Sequence, residues 1–81
     1  MDEAVTYVAL VRWPLEADRR EELKRARAPR LLLVAPGTPP PLIDDEIEDW
    51  VRLPAAPLEV ALRARRLQTL IATDLLTSAD G

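Results

Sequence analysis

Pro29-Arg30-Leu31-Leu32-Leu33-Val34-Ala35-Pro36-Gly37 is a short apolar run closed by proline at both ends. The six residues between the prolines are too few for two helical turns, so Arg30 to Ala35 reads as a strand apolar on both faces. Continuous apolar strands of this kind belong in parallel sheets covered on both sides. Upstream, Val5-Thr6-Tyr7-Val8-Ala9-Leu10-Val11-Arg12-Trp13 is dense in β-branched and aromatic residues and reads as a second buried strand. Between the two, Pro14 suits a first helical turn, and Leu15 to Arg27 is rich in helix formers. Glu16 and Arg20, and Glu21 and Arg25, lie four apart with the acid first, the favourable order for surface pairs. Leu15, Leu23 and Ala26 are its only apolar stripe, which predicts a surface helix. Strand, helix and strand in succession make a right-handed βαβ unit and hence an α/β domain with a parallel sheet.

Downstream, four of the six residues in Pro36-Gly37-Thr38-Pro39-Pro40-Pro41 lack an amide donor, and the segment is expected to run as a rigid extended loop. Leu42 to Asp49 is expected to form one or two helical turns with Leu42, Ile43 and Ile47 inward. Trp50-Val51-Arg52-Leu53 reads as a third strand stopped by Pro54. Pro57 opens a long amphipathic helix over residues 58–78, with Glu59 near the positive end of its dipole. Val60, Ala64, Leu67, Leu70, Ile71 and Leu75 give this helix an apolar stripe. Twenty residues of helix span roughly 30 Å, more than a short strand covers. The overhang is expected to be either a dimer seam or a connector to a following domain.

Composition excludes several chemistries. The 81 residues contain no cysteine and no histidine, which removes disulfides, zinc fingers, haem ligation and thiol or imidazole catalysis. No phosphate-cradling loop or paired acid and base is visible, so no catalytic residue, metal site or cofactor is expected. The acidic start Met1-Asp2-Glu3 is unlike a signal peptide, and no apolar run can cross a bilayer, so a cytoplasmic protein without membrane contact is expected. The net charge of -3 arises wholly in residues 29–53, where Asp44, Asp45, Glu46, Glu48 and Asp49 outnumber Arg30 and Arg52. That acidic run reads as a solvated turn. A chain of this charge lacks the basic face that releases counterions from DNA.

Glu48-Asp49-Trp50-Val51-Arg52-Leu53-Pro54, leading into Leu58-Glu59-Val60 and an Arg/Leu-rich helix, resembles the last strand and helix of a response-regulator receiver domain. Pro29 to Pro36 is similar to a central receiver strand, and Val8-Ala9-Leu10-Val11 to the first. The resemblance implies a reduced receiver-like, flavodoxin-like α/β fold over residues 1–81, with a parallel sheet of about three strands. It also implies a missing phosphotransfer site. Arg12 and Trp13 stand where receivers carry magnesium-binding acids, Ala35 at a position equivalent to the phosphoacceptor, and Arg52 in place of a lysine. The implied function is a non-phosphorylatable regulatory and dimerisation domain of a bacterial transcriptional regulator, with DNA bound only by a winged-helix domain beyond Gly81. The alternative is a free-standing protein-interaction module using the long helix.

Arg12, Trp13, Trp50 and Arg52 form the expected crevice for an anion or a partner segment, since open α/β sheets bind ligands at the carboxyl ends of their strands. The bland reading makes the two tryptophans core-edge packing. The arginines of the final helix read likewise as a solvated face. Three strands and two helices leave sheet surface uncovered, so a homodimer is expected, with Val60, Ala64, Leu67, Leu70, Ile71 and Leu75 as its interface.

Overall fold

The computed structural model describes the backbone of residues 7–80 and the side chains of residues 7–70. Its element order is β1 (Ala9–Trp13), α1 (Ala17–Arg25), β2 (Arg30–Val34), β3 (Glu48–Arg52) and α2 (Pro57–Asp80). The three strands form one parallel sheet in the order β1-β2-β3, the α/β architecture expected from the apolar runs. Val5 and Thr6 of the first apolar run lie outside the described residues.

The register places Ala9, Arg30 and Glu48 in one row, Val11, Leu32 and Trp50 in the next, and Trp13, Val34 and Arg52 in the last. Residues two apart in a strand share a face, so these nine line one side of the sheet. There Val11, Leu32 and Val34 are fully buried, with Ala9, Trp13, Leu23, Ile43 and Trp50 packed around them. The opposite face buries Leu31, Val51 and Leu67 against Val8, Leu33, Ala55, Val60 and Ala64. Helix α2 covers that second face over β2 and β3.

Several local expectations change. Pro14 lies in a turn, and α1 starts at Ala17. Of the stripe assigned to α1 only Leu23 packs inward, while Leu15 is exposed and the buried residue is Arg20. Glu16 approaches Arg19 rather than Arg20. The helix ends in a Schellman motif, with Ala28 N–H donating to Leu23 O at 2.9 Å and Arg27 N–H to Lys24 O at 3.1 Å. Arg27 takes the left-handed position usually given to glycine, at φ 56°.

Residues 42–47 form no helical turns. The chain from Ala35 to Ile47 is a loop, and β3 begins earlier than expected, at Glu48. Ile43 reaches the core, but Leu42 is 83% exposed. This loop occupies the place that a crossover helix usually fills between parallel strands. It begins with a hydrogen-bonded turn, Thr38 N–H donating to Ala35 O, that has Pro36 and Gly37 at its corners and Gly37 at φ 74°.

The stripe Val60, Ala64 and Leu67, read as a dimer seam, packs on the domain's own sheet. A helix beside an apolar sheet face buries its apolar stripe there first, because the intrachain surface is already adjacent. Leu70 is 43% exposed at the border of that contact, and the side chains of Ile71 and Leu75 lie outside the described residues. Leu67→Asp is therefore expected to abolish the cooperative thermal melt seen by far-UV circular dichroism, since it places an unpaired carboxylate in a buried apolar site. If the substitution leaves the melt intact and changes only the oligomeric state, this packing is wrong.

Candidate functional site

Two polar clusters lie on the face covered by α1 and the loop, at opposite ends of the strands. At the amino end, Arg30 and Glu48 open β2 and β3 and are neighbours in register. Their side chains are wholly buried, and that of Arg20, from α1, nearly so. Arg20 grips Glu48 with two parallel bonds, Nε to Oε2 at 2.7 Å and Nη2 to Oε1 at 2.8 Å. Arg30 Nε donates to the same Oε2 at 2.7 Å, its Nη2 to Asp45 Oδ2 at 2.7 Å and its Nη1 to Ala28 O at 2.8 Å. Asp45 Oδ1 accepts the Ile47 N–H at 3.1 Å, which shapes the turn into β3. Two guanidinium groups face two carboxylates, so the buried cluster is neutral.

Burial pushes the Glu48 carboxyl up, but the hydrogen bonds from Arg20 and Arg30, aided by their charges, hold it below its ordinary range. Asp45 behaves alike: burial raises it, and Arg30 and the Ile47 amide bring it below its usual range. The hydrogen bond to Glu48 in turn raises Arg20. All these groups are thus charged at neutral pH. The acidic run is therefore not a solvated turn: Glu48 is core and Asp45 is largely sheltered, while Asp44 stays exposed 3.7 Å from Lys24.

At the carboxyl end, the residues expected to form a crevice are only partly together. Trp13, Trp50 and Arg52 share one face, while strand alternation sends the exposed Arg12 to the other. Trp50 stands at the middle of β3, not at its end. Arg52 Nη1 donates to Ala35 O at 3.2 Å and to Thr38 O at 2.6 Å, and its guanidinium lies 5.4 Å from the centre of the Trp50 ring. The Trp13 indole N–H donates to Pro39 O at 3.2 Å, and Arg20, 5.4 Å from the Trp13 ring, also donates to Leu42 O at 3.2 Å. These donors hold the loop against the sheet. Proline supplies no donors, so a proline-rich segment is anchored by its carbonyls, and indole and guanidinium groups supply the missing half of each bond.

Nothing in the sequence pattern groups Arg20, Arg30, Asp45 and Glu48 as a set. The available signal was Arg30 itself, because an arginine inside a strand buried on both faces requires a carboxylate partner. Among the described residues no group of three or more acidic side chains is arranged to hold a metal ion, and no helix is long and apolar enough to cross a membrane. Comparison with protein families, with characterised proteins and with solved structures gives no match.

Glu48→Gln is expected to destabilise the fold by about 3–5 kcal/mol, because two buried guanidinium groups lose their shared charge partner. Joint replacement of Arg20, Arg30 and Glu48 by apolar residues of similar volume is expected to cost much less. Urea unfolding at neutral pH distinguishes the two, and an equal loss from both would contradict the buried-pair account. Because Glu48 and Asp45 are lowered in the fold, their stabilisation is fully present above their ordinary values of 4.5 and 3.8 and disappears as pH falls through the lower folded-state values. Wild-type stability should fall in that acid window, and Glu48→Gln should flatten the fall.

Proposed function

We propose that this chain is a receiver-like regulatory and dimerisation domain without phosphoacceptor chemistry, belonging to a DNA-binding transcriptional regulator whose DNA contacts are made by a separate module. One observation carries the reading: the carboxyl ends of the three strands, where an open α/β sheet places its chemistry, are Trp13, Val34 with Ala35 just beyond it, and Arg52. Trp13 and Arg52 hold loop carbonyls, and Ala35 has only a methyl group. The buried carboxylate of Glu48 and the partly buried one of Asp45 serve the ion network at the opposite end. A domain built this way acts through its surfaces.

The second reading, a free-standing interaction module using α2, draws support from the outward side chains Leu58 and Leu62, which are 68% and 56% exposed on that helix. Both readings are non-catalytic. They differ in whether the gene encodes a DNA-reading module in the same polypeptide.

Incubation with acetyl phosphate and magnesium is expected to leave the intact mass unchanged, and fluorescence anisotropy with a mixed-sequence duplex at physiological salt is expected to show no binding by these residues alone. Stoichiometric phosphoryl incorporation would refute the non-phosphorylatable reading. Tight duplex binding would refute a separate DNA-contacting module.

A further inference from the structure

The sheet has two edges, and among the described residues hydrogen bonds from the chain itself largely close the β1 edge and leave the β3 edge mostly open. In a parallel sheet the N–H and C=O of alternate residues point to opposite sides of a strand. Ala9 N–H donates to Pro29 O, and Trp13 O accepts from Ala35 N–H, so Leu10 and Arg12 present their backbone groups outward from β1. Those groups are largely taken. Arg12 N–H donates to Glu16 Oε1 at 2.8 Å, Arg12 O accepts the Glu16 N–H at 2.8 Å, and Leu10 O accepts from Arg19 Nη1 at 2.8 Å. The start of α1 thus blunts the β1 edge.

The β3 edge is different. Ile47 O and Leu53 N–H face β2, bonded to Arg30 N–H and Val34 O, which turns Glu48, Trp50 and Arg52 outward. Among the described residues, the carbonyls of Glu48, Trp50 and Arg52 and the N–H of Arg52 have no hydrogen-bond partner. The Trp50 N–H is occupied only by the carboxylate of its neighbour Asp49, at 2.8 Å. A cleft lined by Asp49, Trp50, Arg52, Glu59 and Arg63 runs beside this edge. An open strand edge is a template for pairing with another chain.

We infer that β3 is the dimerisation edge: two copies pair Glu48–Arg52 antiparallel about a two-fold axis at Trp50, joining two three-stranded sheets into one of six strands. This rests on the dimerisation reading above and names its surface. The register sets Trp50 opposite Trp50 of the second copy and Glu48 opposite Arg52, all outward-facing positions. The Glu48 N–H already donates to Asp45 O at 3.2 Å, so the Glu48–Arg52 pairs are joined by the Arg52 N–H to the Glu48 carbonyl. Charge favours the same arrangement. At the start of the strand Glu46 is exposed and, among the described residues, has no ion-pair partner, whereas Asp45 and Asp49 are paired with Arg30 and Arg63; the other end is basic at Arg52. Antiparallel pairing brings each acidic end against the basic end of the other copy, whereas parallel pairing would set like charges together. In forming the pair, the Trp50 N–H exchanges the Asp49 carboxylate for a carbonyl of the second copy, and Asp49 keeps Arg63, 3.2 Å away. The blunted β1 edges then lie at the two outer borders, so the assembly closes at two copies.

Sedimentation equilibrium of the full chain at tens of micromolar, with far-UV circular dichroism as the folding control, tests the assignment. Wild type is expected to dimerise, Glu46→Lys to weaken the dimer at least tenfold without altering the monomer fold, and Leu62→Glu, on the outer side of α2, to leave it unchanged. A wild-type monomer overturns dimerisation and the edge together. A dimer indifferent to Glu46→Lys, or one dissociated by Leu62→Glu, overturns the edge alone and leaves dimerisation standing.

Discussion

Glu48 is the group on which the arrangement of this domain depends. Its two carboxylate oxygens accept three hydrogen bonds from two arginines, one on α1 and one at the start of β2, while Glu48 itself opens β3. A single buried side chain thereby ties the helix, the central strand and the edge strand at one point. Such a group is costly to desolvate, and its fully hydrogen-bonded setting offsets much of that cost. What the cluster adds is specificity. A slip of β3 by one residue against β2 would turn Glu48 to the other face and set Ile47 or the shorter Asp49 beside Arg30, breaking the two-bond grip of Arg20 on Glu48, so one register is strongly selected.

The same face explains how a parallel crossover is made without a helix. Between β2 and β3 the chain uses a proline-rich loop whose peptide groups present mainly acceptors, and the sheet meets it with donors from Trp13, Arg20 and Arg52. Ile43 adds the apolar contact that a crossover helix would normally supply. Trp13, Arg20 and Arg52, which by type suggest a ligand platform, are occupied in holding the chain's own backbone. Among the described residues, this division leaves the carbonyls along the outer edge of β3 unpartnered.

How much of this was legible in the residues differs by element. Proline at both ends of Arg30 to Ala35 left room only for a strand, and the apolar character of that strand required cover on both faces. The strand, helix and strand order then implied a parallel sheet, and Pro57 marked the start of α2. The site was far less legible. Arg20 and Glu48 are twenty-eight positions apart, and at that distance no periodicity distinguishes a buried pair from two solvated surface charges. Strand alternation separates Arg12 from Trp13, yet both stand at the same strand end in the sequence.

Local chemistry, acting over a few residues, determined the element types: missing amides at proline, β-branched and aromatic runs for strands, and strong helix formers for the helices. The tertiary structure decided which charges are core, because burial of a carboxylate depends on what lies across the sheet and not on its neighbours in the chain. It likewise decided that Val60, Ala64 and Leu67 face the sheet, since an apolar stripe specifies that it is covered but not by which surface. The polarity of the two sheet edges was fixed in the same way: each backbone group's partner depends on where α1 and the turn into β3 come to rest.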